Sequence, residues 1–400
     1  MKNNSLYKIL SRGFLDTLFI FRKECTNVFK DSGVVLIFFV AGIAYPLLYN
    51  YVYYHETVDD IPIAIIDESC SSESRDFSRK LDATKELKTV FCSSMSEAEN
   101  LLKARKVHAI VLFPADYHIK LINREQAYIS IYNNMSCFLV YKTITMGINH
   151  VMLDETKNIQ IERYSAKGIT GERADQLVTA LPYQDIALYN PGYGFGSFFL
   201  PALLIVIIHQ TLFFGIGMLT GTAREENRSH QLFSSADSRK GIFRVVLGKA
   251  GAYLFFYMFL TIYITILIPM IFNLPHIGKY WDICKFMLPF LLATIFFSMT
   301  AAVFVKNRET GMVTFLFFSV ILLFLSGFTW TSDYMPAFWK YLSYLFPSTF
   351  GVEGYIKINN MGADLGQIKF EYWSLWLQTG IYALTASMSS LYLVKSEKKL

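Results

Sequence analysis

The stretch Gly196–Leu219, GSFFLPALLIVIIHQTLFFGIGML, decides the fold: it runs for 24 residues without one Asp, Glu, Lys or Arg. At about 1.5 Å of rise per residue, a helix of that length exceeds the roughly 30 Å hydrocarbon core of a bilayer. Five further runs with almost no charge flank it: Val34–Tyr53, Val245–Phe272, Ile283–Val305, Met312–Phe328 and Trp373–Val394. Each is expected to be helical, because a backbone in lipid has no water to bond to. Composition agrees, with 53% of the 400 residues apolar and only 17% charged, where soluble domains carry about a quarter. The expected fold is therefore a polytopic α-helical membrane protein with six spans. Pro46, Pro201, Pro269 and Pro289 lie inside these runs and predict kinks. Val34–Tyr53 reads as a span rather than a secretory leader, since 33 residues precede it and no small-residue cleavage site follows.

Orientation follows from Lys and Arg in the short connections. Residues 1–31, 221–249, 306–311 and 395–400 hold seventeen, whereas 273–282 and 329–372 hold four. That asymmetry places both termini in the cytosol of a multi-pass inner-membrane protein. The long segment 54–195 then lies outside, with 15 basic and 19 acidic residues. The overall charge of +5 is thus a positive-inside signature and gives no reason to expect nucleic acid. Tyr49, Tyr51, Tyr53, Tyr54 and the tryptophans, among them Trp281, Trp330 and Trp373, cluster near outer ends as an interfacial belt.

Within 54–195 the hydrophobic period changes. Ile61–Asp67 (IPIAIID), Leu87–Phe91, Val107–Phe113 and Tyr128–Tyr132 read as strands. Phe77 and Leu81 mark a helix, Ser96–Lys106 reads as a helix capped by Ser94 or Ser96, and Pro114 opens a short one. Strands alternating with helices predict a small external α/β domain, followed by a longer helix from Met135 to about Tyr164. Cys70 and Cys92 both follow strand ends, so a bridge and unpaired thiols are both compatible with the spacing. No metal-ligand spacing is present, and His108 reads as a packed or edge histidine.

Residues 1–33 read as a cytosolic amphipathic elbow helix: Leu6, Leu10, Phe14, Leu18, Phe21, Cys25 and Val28 recur at helical steps, although Leu15 and Phe19 break the pattern. It suits either the inner leaflet or packing on protein. The cytosolic connection 221–249 joins the charges Arg224, Glu225, Glu226 and Arg228 to an apolar pair, Leu232 and Phe233. That pair can dock a partner or pack on the protein's own helix ends. Pro336–Pro347, within 329–372, is too short to cross and fits an external re-entrant hairpin before span six.

The sequence has no phosphate-binding G-x-x-x-x-G-K-[ST] loop: Phe243 stands where the first glycine of a motif ending at Gly248-Lys249 would be. It also lacks H-E-x-x-H and G-x-S-x-G, and no span holds an Asp or Glu, so no catalytic residue is assigned and ion-coupled transport is disfavoured. The polar points inside the spans are His209, Gln210, Thr211, Ser298 and Thr300. They read either as interhelical hydrogen-bonding residues or as a lining of a translocation path.

Taken in order, FRKECTNVFKDSGVV (Phe21–Val35), IPIAIIDES (Ile61–Ser69), SEAENLLKARKVHAIVLFPADY (Ser96–Tyr117), LYNPGYGFGSFFLPALL (Leu188–Leu204), Arg224-Glu225-Glu226, Leu247-Gly248-Lys249, LSGF (Leu325–Phe328) and LSYLFPSTF (Leu342–Phe350) resemble the permease subunits of type-2 ATP-binding cassette (ABC) exporters with a large external domain. The family commonly has Gly-Thr where this chain has Ser229-His230. The resemblance implies a dimer with a second permease copy or paralogue, carrying separate cytosolic ABC ATPase subunits docked on 221–249. ATP would be bound by those partners and no cofactor by this chain. The external domain suggests contact with a periplasmic adaptor. The competing reading is an ATPase-independent assembly factor or receptor that works through its external domain.

Overall fold

The computed structural model describes residues 2–179, 181–182, 186–226, 239–327, 330 and 332–397. The chain forms two compact units, one of residues 1–56 and 187–400, the other of 57–186. The first opens with α1 (Lys2–Lys30) and α2 (Ser32–Val52). The second holds β1 (Ile61–Asp67), α3 (Ser72–Asp82), β2 (Leu87–Cys92), α4 (Met95–Lys103), β3 (Ala109–Phe113), α5 (Tyr117–Ile122), β4 (Ser130–Asn133), α6 (Phe138–Ser165) and α7 (Glu172–Val178). The chain then returns to the first unit with α8 (Phe195–Glu225), α9 (Gly241–Ile271), α10 (Tyr280–Ala301) and α11 (Arg308–Leu325). The short α12 (Ala337–Ser343), α13 (Pro347–Asn359) and the long α14 (Lys369–Glu397) complete it.

Among the described residues, α2, α8, α9, α10 and α11 are the five helices long and apolar enough to cross a membrane. The sixth expected span, 373–394, lies inside the 29-residue α14. α8 is the axis of this unit: from Leu200 to Leu219 only Gln210 and Phe214 escape full burial. A helix apolar all round belongs in the middle of a bundle, and α8 packs against α2, α10, α11 and α13. α14 lies along α10. Wide π turns at Leu36–Ala41 and Tyr263–Leu267 precede Pro46 and Pro269, while the helices continue through Pro201 and Pro289. A π turn is one way a helix absorbs a residue that cannot donate a hydrogen bond.

Two features add to the sequence expectation. On α1 the packed face runs through Ile20, Glu24 and Val28 and lies against α9, while Phe14, Leu15 and Phe19 are exposed. The helix packs on protein along that stripe. The segment read as a re-entrant hairpin continues into α13, with Phe350, Val352, Tyr355 and Ile358 in the core. Gly354 permits this approach, since a Cβ there would stand 2.2 Å from the Phe286 ring.

The second unit is the expected α/β fold. Its sheet has the order β2-β1-β3-β4, with β1 parallel to β2 and β3, and β4 antiparallel to β3. Ile61, Ile63 and Ile65 face one core with Phe77, Val111 and Phe113; Ala64 and Ile66 face the other with Ala98 and Ile110. A strand covered on both faces reads as an unbroken apolar run, as IPIAIID does. Ser94 caps α4 by accepting from Glu97 N, and Glu97 returns the bond by accepting from Ser93 N at 2.8 Å. His108 leads into the inner strand β3, and its backbone is bonded on both sides, donating to Pro62 O and accepting from Asn134 N. Cys70, Cys92 and Cys137 are free thiols.

Phe113 is fully buried between Phe77 and Tyr117, with ring centroids at 5.6 and 5.4 Å. Phe113→Ala should cost the second unit about 3–5 kcal/mol. Hydrogen exchange on the detergent-solubilised chain should show β1 amides losing protection while α8 amides keep theirs; equal loss in both would contradict two separate cores.

Candidate functional site

The candidate site lies where five helices of the first unit end together. α1 stops at Lys30 and α2 starts at Ser32, so the residue between them must satisfy the free N–H groups of a new helix. Asp31 does this: its Oδ1 accepts from the Gly33 and Val34 amides at 3.0 and 3.3 Å. The same carboxylate accepts from the Thr222 hydroxyl on α8 at 2.8 Å and from the Arg308 guanidinium on α11 at 3.1 Å. Asp31 is only 8% exposed. Four donors from three helices thus converge on one buried anion, which is how a charge is tolerated out of water.

A second carboxylate lies on α1 about two turns before Asp31. Glu24 is 2% exposed and accepts from the Tyr253 hydroxyl on α9 and from Asn27 at 3.2 Å. The Lys249 ammonium stands 3.7 Å away. Together Asp31 and Glu24 tie α1 to α2, α8, α9 and α11.

The end of α8 adds two further ties. The Arg224 guanidinium donates to the carbonyls of Val303 and Val305, at the close of α10. Those carbonyls have no helical partner, and a cation suits the negative end of a helix. Glu225 Oε1 accepts from the Arg308 amide at 2.9 Å, at the positive end of α11, where Asn307 is the N-cap. Gly221 lets the two helices meet, since a Cβ would come within 2.9 Å of the Arg308 backbone. A cavity of about 160 Å³ opens beside these groups, lined by Lys23, Glu24, Asp31, Thr222, Lys249 and Arg308. These bonds tie the ends of five helices to one another.

Of the residues singled out in the sequence, Arg224 and Glu225 belong to this cluster and Glu226 lines its cavity. Arg228, Leu232 and Phe233 fall outside the described residues. Gln210 and Thr211 line a groove of about 440 Å³ together with Leu36, Tyr45, Met312 and Ser319. Gln210 donates to the Ser319 carbonyl at 3.2 Å, and Thr211 turns its hydroxyl back to Ile207 O. His209 points elsewhere, stacked near Phe213 and Phe297 with centroids at 6.1 and 6.0 Å, and among the described residues neither ring nitrogen has a hydrogen-bond partner. Ser298 bonds Thr294 O in its own helix, and Thr300 meets Thr385 of α14 at 2.9 Å. Gln210 and Thr211 share the groove, Thr300 joins two helices, and His209 and Ser298 lie apart from both.

Sequence reasoning passed over Glu24 and Asp31. The available signals were a carboxylate in step with Ile20 and Val28, and an Asp-Ser pair between two helical patterns.

A family model described as ABC-2 family transporter protein matches residues 33–388. No curated protein matches the chain.

Removing Asp31 should leave Arg308, Thr222 and two helix N–H groups unpaired. Asp31→Ala should destabilise the detergent-solubilised chain by about 3–5 kcal/mol, with Asp31→Asn milder because one acceptor oxygen remains. A double-mutant cycle with Arg308→Ala should give a coupling of about 0.5–3 kcal/mol. Additive effects would show that the pair is incidental.

Proposed function

The chain belongs to the ABC-2 transporter family, and on that premise we propose that it is the permease of an ATP-driven exporter, moving its substrate outward across the inner membrane with energy from separate ATPase subunits. The family makes it a multi-pass transport protein. The direction, the partners and the orientation are our reading.

The observation that carries the reading is the cluster around Asp31 and Glu24. ATP hydrolysed outside the membrane can move substrate only if force applied at one face reaches several spans at once. Arg224, Glu225, Asp31 and Arg308 link α2, α8, α10 and α11 at the edge of segment 227–238. That segment carries Arg228, Leu232 and Phe233, which we assign to ATPase docking. The excess of Lys and Arg in 221–249 supports placing it in the cytosol. On the same charge asymmetry we read the long segment 54–195 as an external domain.

The groove between α2, α8 and α11 supports a translocation path completed by a second copy of the chain, or a paralogue, with Gln210 and Thr211 as its polar points. Met312, Val313, Phe317 and Phe324 expose an apolar face of α11 beside it. On the α/β unit, the edge strand β4 and its surroundings expose Tyr128, Tyr132, Met135 and Phe138, which suits contact with a periplasmic adaptor.

Docking is tested by Leu232→Ala with Phe233→Ala. An apolar anchor of this kind contributes about 2 kcal/mol or more, so ATPase retention in a detergent pull-down should fall by more than about tenfold. The melting temperature of the permease should not change. Full retention with a lowered melting temperature would show that the pair packs on its own protein. Orientation is tested separately: a membrane-impermeant thiol reagent should label a cysteine at Asn133 in intact cells and not one at Ser235. Labelling at Ser235 would reverse the topology.

A further inference from the structure

α9 and α10 are joined by residues 272–279 and run side by side from that connection into the membrane. On their outward surface they leave a groove of about 300 Å³, walled by Met258, Ile262 and Thr265 of α9 and by Cys284, Leu288 and Leu291 of α10. The wall is apolar: Thr265 turns its hydroxyl back to the Thr261 carbonyl at 2.8 Å. Along α10 the groove extends from Trp281 to Leu291, roughly 15 Å at the helical rise, or the depth of one leaflet.

Lys285 lines the groove near its Trp281 end. It is exposed, and its ammonium lies 5.2 Å from the centroid of the Trp281 ring. Among the described residues no carboxylate pairs with it, although Asp282 is one turn away; Lys279 nearby is paired with Asp364 at 3.1 Å. Lys285 lies four residues past Trp281, about 6 Å along the helix, so its long side chain reaches back toward the interfacial end of the groove. Trp281 is 69% exposed beside it, as an interfacial tryptophan would be. An unpaired ammonium at the border of hydrocarbon needs an anion, and the anion available at that depth is a lipid phosphate.

We propose that this groove is a phospholipid-binding site. One acyl chain of an anionic phospholipid lies between α9 and α10, and its phosphate rests on Lys285 against Trp281. The lipid comes from the leaflet on the side of the 272–279 connection. The charge and the depth select this occupant. A protein helix would need no isolated cation at that end, and a free phosphate would leave the apolar groove empty.

The test uses delipidated full-length protein in detergent, titrated with phosphatidylglycerol, phosphatidylcholine or inorganic phosphate. Melting temperature and native mass spectrometry of retained lipid are the readouts. Phosphatidylglycerol should raise the melting temperature and remain bound, phosphatidylcholine should do so more weakly, and inorganic phosphate should do nothing. Lys285→Gln should weaken phosphatidylglycerol binding about tenfold, and Lys285→Arg should restore it. Leu288→Trp, which fills the groove from an exposed position, should abolish retention while the lipid-free protein keeps its melting temperature. The proposal is overturned if phosphatidylglycerol protects the wild type, Lys285→Gln and Leu288→Trp equally. It is also overturned if inorganic phosphate gives the whole shift, or if a cysteine at Leu288 cross-links to a second copy of the chain in native membranes.

Discussion

A carboxylate buried at the start of a helix has to be paired, and the pairing of Asp31 organises the first unit. Its oxygens take two amides of α2, the hydroxyl of Thr222 and the guanidinium of Arg308. None of these contacts would hold a charge out of water alone. Together they fix where α1 must stop, how deep α2 must begin, and where the ends of α8 and α11 must lie. Glu24 repeats the device on the preceding helix, drawing in Tyr253 and Lys249 of α9. Buried ion pairs add little net stability compared with an apolar core, but breaking one is costly. Such a cluster therefore suits a surface that must keep its geometry under load.

The rest of the first unit follows from lipid as a solvent. Helices in hydrocarbon satisfy their own backbone, so specificity rests on close packing, as where Gly354 meets Phe286, and on a few internal bonds such as Gln210 to Ser319. α8 is enclosed by its neighbours, whereas α2 and α11 keep exposed apolar faces. The α/β unit obeys the opposite logic: its core depends on the hydrophobic effect between sheet and helices, and its surface on helix-spaced ion pairs such as Lys80 with Asp76 at 2.7 Å.

Five of the expected spans were legible in the sequence because a bilayer demands long uncharged runs, and Gly196–Leu219 could be little else. The α/β unit was legible because IPIAIID and VHAIVLF are too short to cross and too apolar for a loop. α13 was not, since its apolar residues are interleaved with Gly351, Gly354, Glu353 and Lys357, a pattern that suggests surface until a partner helix is known. The site was half legible. Arg224 and Glu225 stood out as charges beside a span, but Glu24 looked like one more charge on a surface helix. Its burial depends on α9 lying against α1, a contact between residues more than two hundred positions apart. No local period encodes that.

If the cluster carries force, the ends of α2 and α11 must move together while the transporter turns over. Spin labels at Ser32 and Glu309, both exposed beside the cluster, report this in a chain otherwise free of cysteine, diluted with unlabelled protein. Double electron–electron resonance on the complex with its ATPase should give one distance peak, unchanged between the ATP-free and nucleotide-trapped states. A peak that shifts by about one helical turn, ~5 Å, would show that the two helices part during the cycle and would contradict the account.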